Sequence, residues 1–191
     1  MRVSLLGTLA CLVLTGAALA DPSGPAASLH RPSDRLGLGQ AATPERLAAW
    51  DIDVRADGRG LPPGHGSVRD GAALFGARCA ACHGAKGEGG AADVLVGGQG
   101  SLATPKPVRT VGSYWPYATT LFDYIRRAMP FDAPQSLSAD ETYALSAYVL
   151  HLNGLLPEDA ALDAGTLPAV AMPNRNGFTR DARPDIPVPA R

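Results

Sequence analysis

The pentapeptide "CAACH" at residues 79–83 limits this chain more than any other feature of its sequence. Two thiols three positions apart, followed at once by a histidine, form the attachment signature of a c-type haem. The spacing has a physical basis. Cys79 and Cys82 can add across the two vinyl groups of one porphyrin while His83 swings beneath the ring to coordinate iron. The rival readings are a redox disulfide, which is expected within a βαβ pattern, and half of a zinc site, which needs two further ligands nearby. A helical pattern that runs into the motif, and a chain built for export, favour haem over both.

The export signal lies at the start. "MRVSLLGTLACLVLTGAALA" has one basic residue, an apolar run and an Ala-Leu-Ala end before Asp21, so residues 1–20 read as a secretory signal peptide cleaved after Ala20. A lipid-attached Cys11 is disfavoured by Thr8, which stands where an aliphatic residue is expected. The mature chain then has 191 − 20 = 171 residues and is expected in the periplasm, not embedded in a membrane, because no later segment approaches about 20 consecutive apolar residues. Losing Arg2 moves the formal charge from −1 to −2, a balance that offers nothing to nucleic acid. Of three cysteines only Cys79 and Cys82 remain.

Residues 21–66 are rich in Pro, Gly and charge and read as an N-terminal extension. Within it Thr43 and Pro44 open a short helix to about Trp50, and "WDIDV" is the only strand-like run. From Ser67 the pattern turns helical, with Ser67 as cap and Leu74, Phe75 and Arg78 at helical spacing. A glycine-rich loop follows the haem motif. "YATTLFDYIRRA" gives a second helix that Pro130 helps to end. Ser138 and Glu141 form a capping box for the last helix, which Asn153-Gly154 stops. Ala144 and Ala147 on that helix, with Gly71 on the first, provide small residues for a close crossing. The domain is therefore expected at 67–154, all-α, with 155–191 as a C-terminal tail along the surface or along a partner.

About 90 residues with three helices make a marginal core, since a small domain buries only about 60% of its unfolded surface. A covalently held porphyrin supplies the missing apolar area. With His83 on one side of the iron, the other axial ligand is to be found among Met129, Met172, His30, His65 and His151. Met129 lies 46 residues after His83, enough chain to reach the opposite face of the ring. Its place between two helices suits gap filling in a core equally well.

"LFGARCAACHG", the glycine-rich loop, "MPF" and "LSADETYALSAYVLHLN" together resemble the class I cytochromes c. That resemblance implies three main helices around one covalent haem c, with Met129 as the distal ligand just before the C-terminal helix. "AAWDIDVRADGRGLPPGHGSV", "GGQGSL", "VGSYWPYATTLFDYIRRAMPF" and "MPNRNGF" carry a narrower one, to the SoxD cytochrome subunits that accompany the molybdenum subunit SoxC in bacterial sulfur oxidation. Many of that family have a second haem domain, whereas this chain has a single CxxCH. Class I cytochromes also often place a proline after the haem motif, whose carbonyl accepts the proximal histidine's Nδ1 proton. Here the loop reads "ADVLVGG", and a backbone carbonyl near Val94 to Gly97 is expected to serve instead.

Arg109, Tyr114, Trp115 and Tyr117 are donors of which at least one is expected to meet a haem propionate, the bland reading being an aromatic cluster with a surface arginine. Arg126 and Arg127 mark either a docking face or a solvated helix end. The resemblance implies an electron-transfer subunit rather than an enzyme. It would take electrons from a molybdenum-containing sulfite or sulfane dehydrogenase subunit and pass them to a downstream c-type cytochrome. A free-standing shuttle for other dehydrogenases, and a haem enzyme with an open iron position, are the alternatives.

Overall fold

The computed structural model describes residues 38–179. The expected signal peptide and its cleavage site, His30, and the last part of the C-terminal tail lie outside them. Two of the long helices begin at side-chain caps that the sequence supplies, and the third ends where a proline follows. Ser67 precedes α2 (Val68–Arg78), accepting from the Asp70 N–H at 3.1 Å and donating to the Asp70 carboxylate at 2.6 Å. Ser138 and Glu141 close a full capping box at the start of α5 (Ala139–Leu152), satisfying N–H groups that a helix start leaves without partners. Farther upstream, Thr43 caps α1 (Pro44–Ala48). One turn, α3 (Ala80–His83), follows Cys79, and α4 (Ala118–Ala128) stops at Met129. Met129 is extended, at φ −120° and ψ 147°, and its bond to Pro130 is cis. A residue before proline is driven out of helical conformation, so Pro130 sets the end of α4.

α2 and α5 cross at Gly71, where a Cβ would collide with the Ala144 carbonyl. Phe75 and Tyr148 seal that crossing with ring centroids 5.3 Å apart, and Phe122 of α4 meets Tyr143 of α5 at 4.5 Å. Large side chains such as Phe75, Phe122, Tyr143 and Leu150 are almost wholly enclosed here. Each stabilises the fold by about 1.5–3 kcal/mol relative to exposure.

Two expectations need correction. "WDIDV" forms no strand; Val54 is instead pinned through its N–H to Asp123 Oδ1 at 3.1 Å. The strands are β1 (His65–Ser67) and β2 (Ala161–Asp163), paired antiparallel with Gly66 opposite Leu162. The chain after residue 154 is not a surface tail over its described length: Leu162, Leu167, Val170 and Met172 are buried in the same core as α4 and α5. Val54 and Leu61 pack against that core from the N-terminal side, and the Tyr143 hydroxyl donates to the Pro62 carbonyl at 2.9 Å. The packed unit therefore extends beyond 67–154 at both ends. It is mostly helical with one small antiparallel ribbon.

Candidate haem site

Cys79 closes α2 and opens α3, with φ −124° breaking the helix axis between them. The N–H groups of Cys82 and His83 both donate to the Cys79 carbonyl, at 3.1 and 3.0 Å, so one tight turn carries all three side chains of the motif. Gly84 ends the turn at φ +82°, a left-handed conformation, with Glu88 and the Gly89 carbonyl where a Cβ would stand. Both cysteines are unpaired, Cys79 half-buried and Cys82 exposed. Burial pushes the Cys79 thiol up to about 11. Redox CxxC pairs have a lowered thiol pKa, and burial at Cys79 acts in the opposite direction. The zinc reading fares no better: among the described residues no group of three or more His, Cys, Asp or Glu is placed to hold a metal.

The His83 ring is oriented by its second nitrogen. Nδ1 lies 2.8 Å from the Asp93 carbonyl, to which it donates, leaving the Nε2 lone pair free. The sequence points to a carbonyl near Val94 to Gly97 for this acceptor; the structure assigns it to Asp93, beside that stretch. The loop is folded back on the motif by Gly89 N–H to the His83 carbonyl at 2.7 Å, Ala92 N–H to the Cys82 carbonyl at 2.9 Å and Leu95 N–H to the Gly87 carbonyl at 2.8 Å. Two free thiols on one turn and an imidazole with its outer proton committed fit a covalently attached haem whose iron takes Nε2.

Met129 sits on a separate element, at the end of α4, half-buried at the edge of the core. Met172 is 3% exposed and enclosed by the core, which spends its thioether on packing. His151 is held by Nδ1 to the Leu156 carbonyl at 2.9 Å, and His65 is exposed on β1.

The aromatic segment is brought together pairwise. The Arg109 guanidinium lies 5.6 Å from the Tyr114 ring centre, Tyr114 meets Phe178 edge-on at 5.2 Å, and Trp115 meets Tyr124 at 5.8 Å. Arg175 covers Tyr117 at 4.7 Å. Arg127 is not a free docking charge: it bridges Asp53 at 2.6 Å and Asp123 at 3.1 Å, tying the N-terminal segment to α4.

One residue escaped sequence reasoning altogether. Thr119, in the first turn of α4, is buried, and its hydroxyl is the sole buried side-chain polar atom among the described residues without a partner. Such a hydroxyl, four residues after Trp115, suits a neighbouring acceptor that the polypeptide does not provide, and a haem carboxylate is one. Nothing in its sequence context marks it, because burial of one face of α4 becomes visible only once the helix is packed.

Comparison with known proteins bears on the family and fold of the chain. The family model described as cytochrome c oxidase, cbb3-type, subunit III matches residues 66–149. No curated protein matches the chain. Among solved structures, a chain in the crystal structure of the sulfane dehydrogenase SoxCD from Paracoccus pantotrophus is similar, at 44% sequence identity over 82% of this chain and 85% of that chain, with a TM-score of 0.73. This second likeness covers more of the chain than residues 66–149.

Proposed function

The chain belongs to the SoxD-like c-type cytochromes, and from that membership we propose that it carries a single haem c and relays electrons from a molybdenum-containing sulfane or sulfite dehydrogenase subunit to a downstream c-type cytochrome. The observation that carries the reading is the CAACH turn with His83 Nδ1 fixed on the Asp93 carbonyl and Nε2 left free. Haem c supplies a one-electron centre whose potential depends on its axial ligands and surroundings.

The roles of the chain's own residues follow from their chemistry. Cys79 and Cys82 hold the porphyrin through thioethers. His83 Nε2 and the Met129 thioether would hold its iron; a soft sulfur ligand would raise the potential relative to harder donors. Arg109, Tyr114 and Trp115 would bind the haem carboxylates, and the unpartnered Thr119 hydroxyl is a further donor for them. The polypeptide contributes no acid, base or nucleophile, and sulfur chemistry belongs to the partner. Export by residues 1–20 brings the chain to the periplasm. Among the described residues no helix is long and apolar enough to cross a membrane.

The test is the protein isolated from its native source. Molybdenum and haem at equal stoichiometry, one haem per copy of this chain, and a weak far-red sulfur-to-iron band in the oxidised state are expected. Isolation without a molybdenum subunit under mild conditions would favour a free-standing shuttle. Ready binding of carbon monoxide by the reduced native protein would mean an open iron position and defeat the electron-carrier reading.

A further inference from the structure

Asn153 reads in the sequence as the stop signal of α5, yet its side chain is engaged in other work. It is 7% exposed, and its amide reaches across to the loop behind the haem motif. Oδ1 accepts the Gly97 N–H at 3.2 Å, while Nδ2 donates to the Leu95 carbonyl at 3.2 Å and to the Val149 carbonyl at 2.9 Å. The Asn153 main-chain carbonyl accepts from Gln99 Nε2 at 3.2 Å. Gly112 makes room for this amide, since a Cβ there would collide with it. From its other side the loop is held by the Thr110 hydroxyl, which donates to the Gly97 carbonyl at 2.5 Å.

The clamped residues stand two to four positions after Asp93, whose carbonyl accepts the His83 Nδ1 proton. A glycine-rich loop without proline has much conformational freedom to lose, and a carbonyl free to wander is a poor acceptor. We propose that Asn153 is a positioning residue for the proximal histidine: by locking Leu95 and Gly97 to the end of α5 it fixes the Asp93 carbonyl, and with it the orientation and basicity of His83. The inference rests on His83 being the iron ligand of the preceding section. A rigid acceptor on the outer nitrogen raises the basicity of a ligating imidazole. Loosening it makes His83 the weaker donor, which favours the reduced state and raises the potential.

The experiment uses the full-length holoprotein and nuclear magnetic resonance. In the wild type the His83 Nδ1 proton and the Gly97 amide proton are expected to exchange with solvent at one common protection, because loop and ring open as a unit. In Asn153→Ala both exchange about tenfold faster or more, and the reduction potential rises. Leu162→Ala, a cavity at β2 on the far part of the core, is expected to lower the thermal midpoint while leaving the exchange of those two protons and the potential in place. The proposal is overturned if the His83 proton of the wild type is protected independently of Gly97, or if Asn153→Ala lowers the midpoint but moves neither exchange nor potential. The wild-type measurement decides even where Asn153→Ala fails to mature. Failure of the underlying reading is distinct: a wild-type protein lacking haem-shifted His83 ring signals would show that His83 does not ligate iron.

Discussion

The α2–α5 crossing and the loop at residues 84–99 are held by opposite means. At the crossing, helices meet backbone to backbone through Gly71 and are sealed by Phe75 and Tyr148, with few polar contacts to direct them. In the loop, Leu95 and Val96 are only half-buried, and order comes from main-chain hydrogen bonds and from the Asn153 amide. Apolar packing of the first kind stabilises a framework whatever lies beside it. A loop of the second kind has little buried area to oppose its entropy, so its order depends on the framework at one end and on the haem motif at the other.

The strongest way to break this contrast is to remove the cofactor's attachment. Cys79→Ala with Cys82→Ala should abolish covalent haem completely, as read from pyridine haemochrome spectra of the denatured protein. Hydrogen exchange should then show protection lost throughout 84–99, with residual protection confined to α2 and α5 and no native-like cooperative unfolding. Full cooperative stability in that variant would mean the core needs no porphyrin. The converse experiment attacks the crossing. Gly71→Ala forces a methyl group into the Ala144 carbonyl and should cost about 1–3 kcal/mol in denaturant titrations of the holoprotein. The spectrum of any protein that still folds should be unchanged, because the haem turn lies beyond the other end of α2.

Met129→Ala tests the haem side with a smaller free-energy change. Loss of the thioether should abolish the far-red band of the oxidised protein and lower the potential by at least about 59 mV, a tenfold change for one electron. If Met172→Ala produced those effects instead, a buried core methionine would have to leave its packing to reach iron, and the division between framework and cofactor side would be wrong.

The same contrast explains what was legible in the sequence. Ser67, Ser138 and Glu141 announce α2 and α5 because a cap acts within three residues of itself. CAACH is legible because attachment chemistry fixes its spacing. The β1–β2 ribbon was missed because three-residue strands carry no alternation and their partners lie about a hundred residues apart. Leu162, Leu167 and Met172 looked like tail for the same reason: single apolar residues spaced by turns have no period, yet each finds the core. The Asp93 carbonyl left no trace because every residue has a carbonyl, and only the path of the loop selects one. Asn153 was read correctly as a helix stop, but its second task depends on a loop more than fifty residues away.

Arg127 offers a milder test of how the N-terminal segment joins the framework. Its pairs with Asp53 and Asp123 are partly exposed, so Arg127→Ala should cost less than about 1 kcal/mol, and less still at high salt. A loss of several kcal/mol would mean that residues 51–54 are as integral as the crossing.

The smallest change in shape belongs to Thr119→Val, and the sign of its effect is what matters. The two side chains have nearly the same shape, so the substitution removes a hydroxyl and little else. A buried hydroxyl without a partner destabilises a fold by about 1–3 kcal/mol, and valine should therefore raise stability if Thr119 stays unpartnered in the holoprotein. If the hydroxyl donates to a haem carboxylate, that cost is already relieved, and valine should instead lower the thermal midpoint slightly and shift the potential as the carboxylate loses a donor. A raised midpoint with an unchanged potential would remove Thr119 from the haem site and assign it to the framework. A lowered midpoint with a shifted potential would put the cofactor's influence inside α4, where it touches the same helix that presents Met129.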